Sequence, residues 1–114
     1  MADIFKTSIT GERGSIFVSE DLDTEKAGMA LTAAFTLLYE KGIRKIDVDL
    51  SEVEIINSYG VGRLLACYRK LEDNNGKLCI SGMKGFVKEV FRLLMLERLF
   101  APEAEEEIQS SSVQ

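Results

Sequence analysis

The sequence predicts an α/β fold: a single domain with a mixed, mostly parallel sheet of four or five strands and helices packed on it. Segments of alternating polar and apolar residues, typical of strands, are followed by segments whose apolar residues recur at helical spacing. Strands and helices that follow one another in this way indicate a mainly parallel sheet. Two strand-like segments also stand together at the start, which adds an antiparallel hairpin. The chain has 114 residues, the size of one domain.

Each predicted element has its own signal. Alternation assigns the strands, and apolar residues three or four positions apart assign the helices. In chain order they are strands 4–9 and 15–18, a helix 24–41, a strand 45–50, a helix from 57 or 58 to about 73, a strand 77–81 and a helical stripe over 87–95. Glycines mark the turns: segment 10–14 predicts a five-residue hairpin loop, and Gly42 predicts the end of the first helix.

The last helical stripe is predicted to face the core. It consists of Val87, Val90, Phe91, Leu94 and Met95. Leu93, Leu96 and Met83 lie off this stripe and, if exposed, would form an apolar patch suited to a protein partner.

The predicted domain covers residues 1–102, and an acidic, Ser-rich tail follows over 103–114. Residues 99–102 are compatible with a short edge strand, and 104–109 with one more helical turn. The glutamates of the tail predict a solvated surface, and its last residues are expected to be disordered.

Composition excludes several classes of function. The net charge is −5, and no cluster of Lys or Arg offers a surface for nucleic acid. No stretch of eighteen apolar residues predicts a membrane span, and the N-terminus has no apolar segment of signal-peptide length. We therefore expect a cytoplasmic protein that binds neither nucleic acid nor membrane.

Enzyme chemistry has little support in the sequence. Histidine is absent, as are the glycine-rich phosphate-binding motifs, so the usual bases, metal ligands and nucleotide sites are missing. The two cysteines are too far apart for a CxxC pair and are expected to be buried free thiols. Asp47, Asp49 and Glu52 could bind a divalent cation, but solvated carboxylates are the preferred interpretation, with Asp49 bonding the backbone near Ser51. We expect no catalytic residue, cofactor or metal.

The junction in DLSEVEIINSYGVGRLL, residues 49–65, is the candidate site. Here a strand ends and a helix begins, where ligands gather in sheets of this kind. Asn57 and Ser58 both suit the helix N-cap. Gly60 and Gly62 weaken a first helical turn and so need a reason, which is close approach of another backbone or relief of crowding. Ser58 is therefore either an ordinary helix-start residue or a regulated hydroxyl.

The same stretch resembles the signature of the STAS domain, found in bacterial anti-sigma-factor antagonists. That signature runs from D-L-S through an apolar segment into D-S-x-G-x-G-x-L-L. EDLDTEKAGMALTAAF and GKLCISGMKGFVKEVFRLLMLERLF resemble flanking parts of the family, so the likeness covers about residues 15–100. It implies a switch protein that sequesters an anti-sigma-factor serine kinase. It also implies that this kinase phosphorylates Ser58, that a serine phosphatase reverses the mark, and that a site made of Asn57, Ser58, Tyr59, Gly60 and Gly62 binds the partner.

Two residues depart from the signature. Asn57 replaces the usual Asp, so the shape and the capping oxygen remain but the charge is lost, and Tyr59 replaces a small residue. These departures favour a second hypothesis, a STAS-like scaffold or adaptor that binds its partner without being phosphorylated. A third, a small response regulator or other enzyme, has the least support among the residues present.

Overall fold

The computed structural model describes residues 4–101 and shows a four-stranded sheet with three helices. The strands are β1 (Lys6–Thr10), β2 (Arg13–Phe17), β3 (Lys45–Asp49) and β4 (Lys77–Ser81), and the helices are α1 (Glu25–Glu40), α2 (Ser58–Glu72) and α3 (Gly85–Leu93). This order confirms the predicted α/β class. None of the helices within the described range is long and apolar enough to cross a membrane.

The sheet is mixed, with its strands in the order β1-β2-β3-β4. β1 pairs with β2 antiparallel, whereas β2, β3 and β4 are parallel neighbours. Each parallel connection contains a helix, and because such crossovers are right-handed, α1 and α2 cover the same face of the sheet. The carboxyl ends of β2 and β3 therefore lie at the same edge of the sheet, and α1 and α2 begin there.

One face of the sheet packs against the helices. In-register rows on that face are Gly14, Ile46 and Leu78, and then Ile16, Val48 and Ile80. They meet fully buried helix residues such as Leu31 and Leu64. We call the opposite side the open face: it carries Arg13, Ser15 and Phe17 of β2, Lys45, Asp47 and Asp49 of β3, and Lys77, Cys79 and Ser81 of β4. Of these, Cys79 alone is buried.

The hairpin is tighter than the sequence predicts. Thr10 and Arg13 pair directly across the two strands, so Gly11 and Glu12 form a two-residue turn. Gly11 has φ +62°, which glycine adopts without strain at the first central position of such turns. The predicted five-residue loop is wrong because Thr10, Arg13 and Gly14 belong to the strands.

The end of α3 also differs from the prediction. Val87 and Phe91 are buried as expected, but Leu94 is 52% and Met95 88% exposed. α3 ends at Leu93, and Met95 has φ +60°, so the helical spacing that placed Leu94 and Met95 in the core no longer applies there.

The chain then folds back along β4, and the described residues 99–101 do not form the predicted edge strand. The Phe100 carbonyl accepts a hydrogen bond from the Ile80 N–H (3.0 Å), while the Phe100 ring makes edge-to-face contacts with Phe91 and Tyr68. Residues 98–100 are in a turn conformation. The predicted helical turn at 104–109 and the tail 103–114 lie outside the described residues.

Candidate partner-binding site at the start of α2

Asn57, rather than Ser58, is the N-cap of α2. Its backbone is extended (φ −123°), and its side-chain oxygen accepts a hydrogen bond from the Gly60 N–H at 3.1 Å. Ser58 is the first helical residue, and its side chain is exposed. The hydroxyl of Ser58 is therefore not required to begin the helix.

The loop after β2 is bonded to the loop after β3 through Asp21. One carboxylate oxygen of Asp21 accepts hydrogen bonds from the backbone N–H groups of Glu54 (2.8 Å) and Ile55 (3.1 Å). A carboxylate that accepts two N–H groups fixes the path of the backbone it binds. The N-cap of α1 is Thr24, whose hydroxyl oxygen accepts a hydrogen bond from the N–H of Ala27 at 3.1 Å.

Backbone hydrogen bonds extend the contact between these two loops as far as the start of α2. Leu22 forms an isolated parallel bridge with Ile56: its N–H donates to the Ile55 carbonyl at 3.0 Å, and its carbonyl accepts from the Asn57 N–H at 3.4 Å. The Asn57 side-chain amide also donates to the Asp23 carbonyl at 3.2 Å. Both ends of that amide are thus used within the chain, and the start of α2 is fixed against the start of α1.

The two glycines of the motif have different surroundings. Gly60 is buried, and a Cβ there would lie 2.2 Å from the Leu22 carbonyl oxygen. The close backbone approach that the sequence indicated at Gly60 is therefore internal to the chain. Gly62 is exposed, and a Cβ there would meet nothing within 4 Å. The fold leaves open space over Gly62, one turn along the helix from Ser58.

Tyr59 lies partly buried between α1 and α2. Its ring occupies the space over Gly28, where an added Cβ would approach the ring to 2.5 Å. Arg63, one turn further along α2, donates to the Tyr59 hydroxyl from Nε (3.1 Å) and Nη2 (2.7 Å). The third donor, Nη1, bonds Thr32 Oγ1 of α1 at 3.0 Å. Sequence reasoning missed Arg63 and Thr32; the four-residue spacing of Tyr59 and Arg63 was the signal for a pair on one helix face.

Exposed apolar side chains flank this helix start. Ile55, just before the cap, is 48% exposed, and Phe86 at the start of α3 is 56% exposed. A shallow cleft lined by Glu54, Lys84, Gly85 and Phe86 lies between their segments. Of the three residues predicted to form an apolar patch if exposed, Leu93 is exposed, whereas Met83 and Leu96 are half-buried against the core.

The acidic residues near the end of β3 act within the chain. Asp47 forms an ion pair with Arg13 at 3.4 Å, and Asp49 accepts a hydrogen bond from the Ser51 N–H at 2.8 Å, which confirms the predicted side-chain turn. Within residues 4–101, no three acidic or cysteine side chains come together as metal ligands. Cys67 and Cys79 are buried thiols that form no disulfide within residues 4–101, as predicted, and burial raises the pKa of Cys67 to about 12.

Comparison with known proteins decides the family. A family model described as "Mlab, STAS domain" matches residues 5–101. The chain belongs to the STAS domain family. This confirms the resemblance drawn from the sequence, and the match extends over β1 as well.

Solved structures share this STAS fold. TM1081 from Thermotoga maritima, assigned provisionally as an anti-sigma factor antagonist, superposes with a TM-score of 0.79 at 22% identity over 92% of each chain. The anti-sigma factor antagonist SpoIIAA in its unphosphorylated form gives 0.72 at 22% identity, covering 96% of this chain and 97% of that one. The phosphorylated form, described as a Bacillus cell fate determinant, gives 0.67 at 23% identity, covering 94% of this chain and 98% of that one. At these identities the likeness shows the common fold alone.

Proposed function

We propose that this STAS protein is an anti-sigma-factor antagonist that acts by binding another protein, and not as an enzyme. In its unmodified form it sequesters an anti-sigma-factor serine kinase. That kinase inactivates it by phosphorylating Ser58, and a serine phosphatase restores it. The docking surface comprises Asn57, Ser58, Tyr59 and Gly62 at the start of α2, and the buried Gly60 shapes it from beneath by letting the Leu22 backbone approach the helix.

The observation that carries this proposal is the position of Ser58. It is exposed at the first position of α2, while Asn57 supplies the cap. A phosphate there would carry roughly −1.5 to −2 charges beside the positive end of the helix dipole, where anions are tolerated. Modification would therefore change the surface that a partner meets without breaking a contact of the fold.

The comparisons support the proposal at the level of fold and family. STAS membership covers nearly all of the described chain. SpoIIAA, with the same fold, is an anti-sigma factor antagonist that has been solved in unphosphorylated and phosphorylated forms.

A scaffold that is never phosphorylated is the second candidate. Asn57 uses both its amide oxygen and its amide nitrogen inside the chain. The Tyr59 hydroxyl is similarly held by Arg63. Neither side chain supplies a carboxylate next to Ser58 that could orient the hydroxyl or pair with a basic group of a kinase.

Phosphosite mapping separates the two candidates. The purified protein is incubated with ATP and an extract of its source cells, and phosphorylated residues are identified by mass spectrometry. Ser58→Ala tests the site, and Ser81→Ala, which changes another exposed serine at the end of β4, is the matched control. We expect phosphate on Ser58 in the wild type and in Ser81→Ala. If Ser58 stays unmodified while other substrates in the extract are phosphorylated, the scaffold candidate replaces the switch.

A further inference from the structure

The two edges of the sheet differ in what lies beside them. The outer side of β4 is met by the returning chain, where the Phe100 carbonyl accepts a hydrogen bond from the Ile80 N–H at 3.0 Å. β1 is the other edge, and within residues 4–101 no strand pairs with its outer side. Proteins usually block such an edge with a proline, a bulge or several charges, because unpaired backbone groups attract another strand. β1, KTSIT, has no proline, pairs with β2 without a bulge and carries one charge, on Lys6.

The outward backbone groups of β1 belong to Thr7 and Ile9. Thr10 and Arg13 close a two-residue turn, and such a closing pair exchanges both of its hydrogen bonds. Hydrogen-bonded and non-hydrogen-bonded pairs alternate along an antiparallel ladder, so Ser8 also bonds β2. The N–H and C=O groups of Thr7 and Ile9 therefore point away from β2, toward the outer side of the edge.

Apolar side chains lie beside this edge, on the side of the sheet opposite the open face. The Phe5 N–H donates to the Ala30 carbonyl at 3.5 Å, which places α1 above the edge. Ala33 and Leu37 follow on the same side of α1, and Leu37 is 37% exposed. Ile9 points to this side of the sheet and is 44% exposed. A further strand paired with β1 would remove these side chains from water.

β1 is complementary to a second copy of itself. When two β1 strands run antiparallel about Ser8, the outward groups of Thr7 meet those of Ile9 in the second copy, and each position both donates and accepts. Lys6 then lies opposite Thr10 of the second copy, so like charges do not face each other across the pair. The register that matches the hydrogen bonds therefore also keeps the two lysines apart.

We propose that two copies of this chain associate through β1, which joins two four-stranded sheets into one continuous sheet. The pairing is antiparallel and isologous, with Ser8 at the two-fold axis. One short strand and a few apolar side chains bury less surface than a permanent dimer needs, so the dimer is weak and reversible. The proposal does not depend on the function proposed for Ser58, because α2 connects β3 to β4, away from β1.

Sedimentation equilibrium of the full chain tests the association, from about 10 μM to about 1 mM, where weak interfaces are populated. The variant is Ile9→Lys; the control, Leu93→Lys, adds the same charge at an apolar position on α3 that is 67% exposed. Each dimer contains two copies of the substitution, so Ile9→Lys should raise the dissociation constant by roughly a hundredfold. The control should associate like the wild type. A wild type that stays monomeric leaves the edge to a strand of another protein and overturns the proposal, and so does an Ile9→Lys variant that associates normally.

Cysteine cross-linking tests the register. Ser8 is exposed and lies opposite Ser8 of the second copy, where the Cα atoms of a non-hydrogen-bonded pair are about 4.5 Å apart, within reach of a disulfide. Lys6 lies two residues from the axis, so its two copies are roughly 13 Å apart. Under mild oxidation, Ser8→Cys should form an intermolecular disulfide and Lys6→Cys should not. Any other pattern contradicts pairing about Ser8.

Amide hydrogen exchange followed by NMR needs no substitution. The N–H groups of Thr7 and Ile9 should exchange slowly in the concentrated wild type and faster on dilution, whereas that of Ser8, bonded to β2, should stay protected throughout. Fast exchange at Thr7 and Ile9 in a sample that sedimentation shows to be dimeric would place the interface elsewhere and refute the proposal. Protection that does not change on dilution would come from the chain itself and would refute it too.

Discussion

The substitutions Gly60→Ala and Gly62→Ala form a matched pair. The same change at two positions of α2, two residues apart, should affect the stability of the fold in opposite directions. A Cβ at Gly60 would lie 2.2 Å from the Leu22 carbonyl oxygen, 2.9 Å from the Leu22 Cβ and 3.0 Å from the Ile56 side chain. A Cβ at Gly62 would meet nothing within 4 Å.

The expected magnitudes follow from these contacts. Alanine gains up to about 1 kcal/mol over glycine inside a helix, so Gly62→Ala should raise the free energy of unfolding by up to that amount. At Gly60 the nearest atom is backbone, and moving it strains the bonds that Leu22 makes with Ile55 and Asn57. Overpacking costs about 1–3 kcal/mol and each lost hydrogen bond about 0.5–1.5 kcal/mol. After the helix gain, Gly60→Ala should lower the free energy of unfolding by about 1–5 kcal/mol.

Urea unfolding followed by far-ultraviolet circular dichroism measures both effects. The midpoint should fall for Gly60→Ala and rise slightly for Gly62→Ala, with similar m-values if both variants unfold in two states. Equal stability of Gly60→Ala and the wild type would mean that the Leu22 segment yields easily. The conclusion that the loops after β2 and β3 are held rigidly together would then be wrong.

The remaining predictions concern the same site and the core. Ser58→Asp should leave the free energy of unfolding unchanged or raise it by about 0.3–1 kcal/mol in chemical unfolding, because Asn57 keeps the cap and a negative charge suits the first turn. Asn57→Asp should speed phosphorylation of Ser58 in a time course with the cognate kinase, since charge-assisted hydrogen bonds are about twice as strong as neutral ones; an unchanged or lower rate contradicts this. Asp21→Ala should lower stability by about 1–3 kcal/mol, whereas Asp23→Ala, which removes an exposed side chain and keeps the carbonyl that Asn57 uses, should change it by less than about 0.5 kcal/mol. Burial raises the pKa of Cys67 to about 12, so above about pH 8.5 the unfolded chain releases this proton and the folded chain keeps it. Stability should then fall by up to about 1.4 kcal/mol per pH unit, and Cys67→Ala should lose this slope.

Local signals in the sequence were enough for most of the fold. KIDVDL alternates polar and apolar residues and contains β3, KLCIS with its short apolar run is β4, and Gly42, with φ +87°, follows the end of α1 as predicted. The errors in the predicted fold arose where the backbone conformation of a single residue sets the direction of the chain. Gly11 permits a tight turn in place of a loop, and Met95 at positive φ ends the helical spacing, and neither conformation follows from hydrophobic pattern alone.

The candidate site was predicted in position but not in detail. Sequence reasoning placed Ser58 and Asn57 at the start of a helix beyond a strand, yet both residues suit an N-cap equally well. In the structure Asn57 is the N-cap, and it is also held by contacts to Leu22 and Asp23, which are more than thirty residues away in the sequence. Likewise, the need for glycine at position 60 comes from the Leu22 carbonyl. Such long-range contacts have no signal in a single sequence.

The geometry around Ser58 also decides how a phosphate would act. The residues on both sides are held: Asn57 by Asp23 and Gly60, and Tyr59 by Arg63. Among the contacts of residues 4–101, none of those that hold this helix start uses the Ser58 side chain. A group attached there therefore breaks none of the hydrogen bonds that hold the helix start. A phosphate on Ser58 would therefore change the charge and the shape of the surface. A partner would sense it by direct contact and not through a rearrangement of the domain.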